Sequence, residues 1–495
     1  MAFGASRARL LRVGLIAGWL VLLLLLIRRD VLVPSLAVRE ADVLSRGREE
    51  SFVGVYFQNR RIGYVKSRLQ PQDNKGFRLR QDALLRLNIL GEEHPVRMQV
   101  VAELSPTALL QAFTFSLSSP FYHMAAQGMV QGTEIIFTLD TGKGKVTDRV
   151  KLANQPYLPT SQRSYLLSQG LNPGDRIKIP YFDPFSLAGH DTVLTYQGRE
   201  KVLISGRVHN LHRFVEAFAG IRINSWLDDS GRVIKEESPA GFVFLAEPEF
   251  KATDLPGDVP EILSAMAVSL SGTMPADLAT RRELRYRLDI PAEAELDIDG
   301  GRQRFAAGIL TVHRESLPPQ DSGTNCPDAQ KFLTSSPHIQ KDDPAIVALA
   351  QAISAEETTW LGRTRALAAW VYGNLEKRPV VGIPDAATVL GAKAGDCNEH
   401  AVLFAALARS IGIPAKIVAG VTFSNNAFYY HAWNEVCLGD DWLSLDTTLN
   451  QLPADLTHLR MVEGETREMI RIGALLGRLR ITALPELPAH QGASR

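Results

Sequence analysis

Apolar and polar residues alternate with a period of two through much of the first half of the chain. "FVGVYFQNRRIGYVKSRL" sets two such runs around a polar turn at Gln58–Arg61, and "INSWLDDSGRVIKEES" repeats the arrangement around Asp228–Gly231. Alternation sends successive side chains to opposite faces of a strand, and Asp and Gly suit the connecting turn. Helical 3.6-residue spacing is scarce from Ser51 to about Phe250, so the pattern predicts an antiparallel β region over 51–250. "LRYRLDI" at Leu284–Ile290 alternates strictly, and more strand is expected up to Glu315, whereas Pro260–Asp277 is expected to be helical. The turn-rich "SLPPQDSGTNCPDAQKFLTSSP" then marks a linker. Beyond it the period changes, and Asp343–Ala355 and Thr359–Leu375 both read as amphipathic helices. "IRIGALLGRLRI" near the end reads as a docking helix or strand.

One segment departs from both periods. Leu10–Ile27, "LLRVGLIAGWLVLLLLLI", is apolar on every side with Arg12 its only charge. Eighteen helical residues span about 27 Å, close to the roughly 30 Å of a bilayer's hydrocarbon core. Basic residues lie on both sides, with Arg7, Arg9 and Arg12 set against Arg28, Arg29 and Asp30, which favours an N-terminus inside. No run of small residues follows for cleavage, so an uncleaved anchor is preferred over a signal peptide. The expected location is a single-pass membrane protein with the bulk of the chain extracytoplasmic, periplasmic in a Gram-negative cell. The expected organisation is an anchor over 1–30, a stalk over 31–50, a β-rich region over 51–250 and a β-rich connection over 251–320. A linker over 321–340, a catalytic region over 341–465 and a tail over 466–495 complete it.

Composition removes some classes of function. A formal net charge of zero gives no support for nucleic-acid binding, which needs a basic face. Three cysteines, Cys326, Cys397 and Cys437, permit at most one disulfide and leave one thiol free. Whether Cys326 and Cys437 pair stays open. "TGKGK" at Thr141–Lys145 lacks phosphate-loop spacing and reads as a hairpin turn. The histidines of the β region complete no metal pattern, and no cofactor is expected.

Chemistry concentrates around Cys397. Asp396 is placed to cap a helix, with Glu399 three residues on forming a capping box. Ala401–Arg409 is apolar with high helix propensity, and Gly412 and Pro414 stop it. Cys397 therefore opens a helix, where unpaired N–H groups and the helix dipole favour thiolate over thiol. Three strands follow: Ala415–Val421, Ala427–Leu438 and Trp442–Asp446. His431, Trp433 and Glu435 share one face of the second, and Trp442, Ser444 and Asp446 share one face of the third. Pairing around a Gly439–Asp440 turn sets Trp433 opposite Asp446, with His431 its diagonal neighbour; a one-residue slip would turn Asp446 away. A Cys nucleophile, a His base and an Asp orienter can thus converge, the arrangement used for acyl transfer. A zinc set of Cys397, His400, His431 and Asp446 is the weaker reading, because no repeated Cys/His pairs accompany it. His400 is read as helix packing, and Trp433 as core.

"GDCNEHAVLFAALARSIGIPAKIVAGV", followed by "YYHAWNEV" and "WLSLDTT", closely resembles the transglutaminase-like superfamily over about Lys341–Leu459. The resemblance implies an α+β fold of papain-like type, with the cysteine's helix packed on an antiparallel sheet, following the mostly antiparallel β N-terminal region. It implies Cys397, His431 and Asp446 as the catalytic triad, and peptidase, amidase or amide-transferring chemistry through a thioester. The implied partner is a protein or peptide amide substrate, and the N-terminal helix implies the membrane as a second. The alternative is a non-catalytic scaffold that holds a peptide or envelope partner in the same cleft.

Overall fold

The computed structural model describes residues 33–485, apart from 41–42, 44–47, 74–75, 121, 143–144, 160–162, 219–220, 256 and 320–322. Among them, the alternating half of the sequence forms one antiparallel sheet of fourteen strands between Glu49 and Glu247. Its first eight strands form one meander and its last six another. The two join where Glu49–Phe57 pairs with Phe242–Glu247. The predicted hairpins are present. Glu49–Phe57 returns as Arg60–Pro71 through Gln58 and Asn59, both with positive φ, and Ile221–Leu227 returns as Val233–Glu237. Asp140 pairs with Lys145 across the "TGKGK" segment, a plain hairpin. Leu36, Val38 and Val43 join the core of this sheet.

A second sheet has nine strands among the described residues. Ala415–Ser424 and Ala427–Leu438 form its centre, with Leu459–Glu463 beyond the first and Asp441–Leu445 paired to the second. On the far side, Val268–Ser271 pairs with Ala427–Leu438 and, in parallel, with Arg480–Ala483. Arg480–Ala483 in turn pairs with Glu283–Asp289, so a segment near the end of the chain is inserted between two strands of its middle. The helix expected over Pro260–Asp277 is only Ile262–Met266. Val268 and Leu270 instead meet Phe428 and Ile481 in the sheet, and these tertiary pairings override a weak local helix preference.

Helices Pro344–Ser354 and Trp360–Asn374 form as expected, capped by Asp343 and Thr359. A further short helix, Ala386–Ala392, is capped by Asp385. They surround the helix Cys397–Ser410, in which Ala401 to Ala408 are all buried. A helix that is apolar all round belongs at the centre of a layer, and Phe404, Leu403 and Leu407 each contribute about 1.5–3 kcal/mol by burial. A C-terminal region in which helices pack on an antiparallel sheet thus follows a large antiparallel β region.

The expected membrane location is corrected. Among the described residues no helix is long and apolar enough to cross a membrane, and Leu10–Ile27, on which the expectation rested, lies outside the described residues.

Candidate active site

The helix that begins at Cys397 is fixed at its start by its own sequence. The Asp396 carboxylate accepts the Asn398 N–H at 2.8 Å, and Glu399 Oε2 accepts the Asp396 N–H at 2.8 Å, closing the capping box. Gly395 is needed beside it, because a Cβ there would stand 2.2 Å from Cβ of Glu399. His400 Nδ1 donates to the Asp396 carbonyl at 2.7 Å, bracing the first turn from within. Asn434, fully buried, donates to the carbonyls of Ala401 and Lys416 at 3.0 Å each, tying the helix to two central strands.

The strand register follows the expectation. Leu438 pairs with Asp441 and Asn434 with Leu445, so the next pair in register is Trp433 with Asp446. His431 reaches diagonally, and its Nε2 lies 2.7 Å from Asp446 Oδ2. The other ring nitrogen, Nδ1, makes no hydrogen bond among the described residues. Trp433, 2% exposed, stacks beside His431 with ring centroids 6.2 Å apart and planes 20° apart, which restricts imidazole rotation. Cys397 is brought to the same place: the Ala432 N–H, next along the strand from His431, and the Asp446 carboxylate both act on its thiol.

The electrostatics of the thiol differ from the expectation. Burial pushes the Cys397 thiol well above its usual range, and Asp396, Glu399 and Asp446 push it further in the same direction. The Ala432 N–H opposes them. The helix start does not supply a standing thiolate, because desolvation first and the nearby Asp396 carboxylate second disfavour charge on the sulfur. The resting group is a thiol that needs a base.

Asp446 is held by hydrogen bonds from several sides. Burial alone would raise its pKa, but the bonds from His431 and from a second histidine, His458, more than reverse this and hold the carboxyl well below the usual range. Oδ1 accepts the N–H groups of Thr448 at 2.6 Å and Leu449 at 3.0 Å. His458 Nε2 lies 3.0 Å from Asp446 Oδ2, and its Nδ1 lies 3.0 Å from Asp455 Oδ1. Its ring meets Trp433 edge-on at 5.2 Å. Sequence reasoning missed His458. It stands in the irregular stretch before Leu459, and no local spacing ties it to Asp446; the nearest signal is Asp455 three residues upstream.

The donor atoms of His431, Asp446 and His458 lie within 4.8 Å of one another, as metal ligands could. Both nitrogens of His458 and one of His431 are directed at carboxylate oxygens, so the group is satisfied by its own hydrogen bonds. Neither Cys397 nor His400 belongs to it. Cys326 and Cys437 are joined by a disulfide with Cα atoms 5.7 Å apart, and Cys397 is the free cysteine. A cavity of about 480 Å³ lies on the first sheet, lined by apolar side chains such as Phe52, Met98 and Phe115, and none of Cys397, His431 and Asp446 lines it.

Comparison with known proteins agrees with this architecture. Residues 347–447 match the model of the transglutaminase-like superfamily, a span that includes Cys397, His431 and Asp446. An uncharacterised protein of Haemophilus influenzae is 32% identical over 148 residues, which cover 29% of this chain and 37% of that protein, so the match spans little more than a third of the relative's length. A solved candidate cysteine protease from Cytophaga hutchinsonii is 19% identical over 41% of this chain and 76% of its own, with a TM-score of 0.28. A solved β-barrel-like protein from Brucella abortus is 11% identical over 41% of this chain and 95% of its own, with a TM-score of 0.32. TM-scores of this size do not establish a shared fold. Residues 347–447 form a transglutaminase-like domain.

Proposed function

We propose that this site performs thiol-dependent acyl transfer on a peptide or other amide bond, with Cys397 as nucleophile, His431 as base and Asp446 as orienter. The reading is carried by one observation: His431 offers Nε2 to Asp446 at 2.7 Å and keeps Nδ1 unbonded, on the strand that also presents the Ala432 N–H to the Cys397 thiol. A base must have one nitrogen held and the other open to the proton it removes.

In the first half-reaction the Cys397 thiol transfers its proton to Nδ1 of His431 as sulfur attacks the carbonyl carbon. Asp446 stabilises the imidazolium as it forms. The tetrahedral intermediate collapses, the C–N bond breaks, and His431 returns the proton to the leaving amine, which leaves Cys397 as a thioester. Water or a second amine then attacks the thioester, loses a proton to His431, and releases an acid or a new amide with the thiol restored. Concerted transfer suits a partly buried thiol among carboxylates, because charge appears on sulfur only as the imidazolium appears beside it.

The test is intact-mass analysis of the chain incubated with a panel of peptide amides. An added acyl mass on Cys397, removed by hydroxylamine and absent from Cys397→Ser, is expected with a member that is turned over. Failure to acylate Cys397 with every member, while the folded thiol still takes a small alkylating agent, would favour the scaffold reading.

A further inference from the structure

His458 lies outside the three residues assigned above, yet it shares an oxygen with the catalytic pair. Asp446 Oδ2 accepts from His431 at 2.7 Å and from His458 at 3.0 Å. The opposite nitrogen of His458 faces Asp455 Oδ1, also at 3.0 Å. The His458 and Asp446 side chains are both fully buried.

A neutral imidazole has one N–H and one lone pair. With a carboxylate oxygen at each nitrogen, the neutral ring would press its lone pair against one of them. Both carboxyls are already engaged as acceptors. Asp446 Oδ1 already accepts two backbone N–H groups, from Thr448 and Leu449. Asp455 Oδ1 accepts the Thr457 N–H at 2.8 Å and its hydroxyl at 2.6 Å, while Oδ2 accepts from Gln451 at 3.1 Å. The arrangement is closed only when both His458 nitrogens donate.

We infer that His458 is an imidazolium clamped between Asp446 and Asp455, a positioning residue that holds the Asp446 carboxylate as a fixed acceptor for His431 Nε2. This deepens the acyl-transfer reading and rests on it. A cation on Asp446 Oδ2 keeps that buried carboxyl ionised and its oxygen in place to orient the His431 ring.

The other polar groups around His458 are consistent with a charged ring. Arg302 donates to the carbonyls of Ala454, Asp455 and His458 and is balanced by Glu315. The Tyr286 hydroxyl donates to the Leu456 carbonyl. The His431 ring meets His458 edge-on at 5.9 Å, and the Trp433 ring does so at 5.2 Å. Burial opposes charge on His458, but the bonds to Asp446 and Asp455 outweigh it and raise its pKa.

The test is ¹⁵N NMR of the full chain labelled at histidine, which needs no substrate. In the wild type, His458 is expected to show both nitrogens protonated at neutral pH and to lose its second proton only above an ordinary histidine midpoint near 6.5. Asp455→Asn is expected to lower the pH at which His458 loses its second proton. In His458→Gln, which keeps a donor to Asp446 without the charge, Cys397 alkylation at neutral pH is expected to slow by about tenfold, the influence of one close charge. A His458 with a single protonated nitrogen at neutral pH overturns the inference. So does unchanged Cys397 alkylation in a folded His458→Gln. If His458→Gln does not fold, the wild-type and Asp455→Asn spectra still decide. The acylation assay reports separately: loss of acylation with these spectra as expected removes the acyl-transfer reading, and the reverse removes only this role for His458.

Discussion

At the scale of single residues, the site is a set of charges that require one another, Asp446 and His458 buried and Asp455 partly exposed. Asp446 and Asp455 are held below their ordinary carboxylate range, and His458 is held above its ordinary imidazole range. The signs of their linkage to folding follow. A carboxyl with a lowered folded pKa stabilises above its unfolded value, about 3.9, and that contribution is lost as pH falls through the folded value. A histidine with a raised folded pKa stabilises below its unfolded value, about 6.5, and that contribution is lost as pH rises through the folded value. This cluster is therefore fully stabilising between roughly pH 4 and 6.5. Thermal unfolding across pH should show a decline on the alkaline side that flattens in His458→Gln; an unchanged alkaline slope would mean that His458 does not contribute it. Trp433 is the largest packed side chain against this cluster, and Trp433→Ala should cost about 3–5 kcal/mol in denaturant unfolding. A loss below 1 kcal/mol would show that the ring packs far less tightly than its burial implies.

At the scale of elements, the boundaries that local chemistry marks were legible, and the long-range pairings were not. Asp396, Glu399 and Gly412 set the ends of the Cys397 helix, and Gly412 has the positive φ that such a stop requires. The Gly439 turn, with positive φ at that glycine, set the register that brings His431 diagonal to Asp446. By contrast, alternation shows which face a residue occupies and not which strand it meets. The insertion of Arg480–Ala483 beside Glu283–Asp289 and the approach of His458 to Asp446 had no local signature for that reason. The Cys397 shift runs opposite to the helix-start expectation because desolvation of the thiol, which depends on tertiary packing, and then the capping carboxylates outweigh the helix start. The cap itself gives an element-scale prediction. Asp396→Ala should destabilise by about 0.5–2 kcal/mol in chemical denaturation, and no measurable loss would show that the capping box does not hold the helix start.

At the scale of the whole molecule, two devices hold the site region to distant parts of the chain. The Cys326–Cys437 disulfide joins positions 111 residues apart, one of them on the His431 strand. Loop-closure entropy assigns such a link about 4–5 kcal/mol, so Cys326→Ser with Cys437→Ser should lose stability of that order while leaving Cys397 as the free thiol. Equal denaturation midpoints with and without the bond would contradict this. The second device is the buried Glu435–Arg460 pair, with both carboxylate oxygens 2.9 Å from Arg460 Nη1, which joins the His431 strand to Leu459–Glu463. Glu435→Gln leaves a guanidinium buried without its counter-charge and should cost about 3–5 kcal/mol in the same assay. Arg460 also donates to the carbonyls of Asp297, Asp299 and Gly300, so this charge holds the middle of the chain to the site's sheet.

The central proposal, that Cys397 is a partly buried thiol activated by His431 and Asp446, is tested most directly by the pH dependence of Cys397 alkylation in the full chain. The wild type should react at neutral pH at least about 10²-fold faster than His431→Ala, the scale of a positioned base, with Asp446→Asn between them. Cys397→Ala should give no labelling. Equal neutral-pH rates in wild type and a folded His431→Ala would contradict the account, because the thiol would then react without the proposed base.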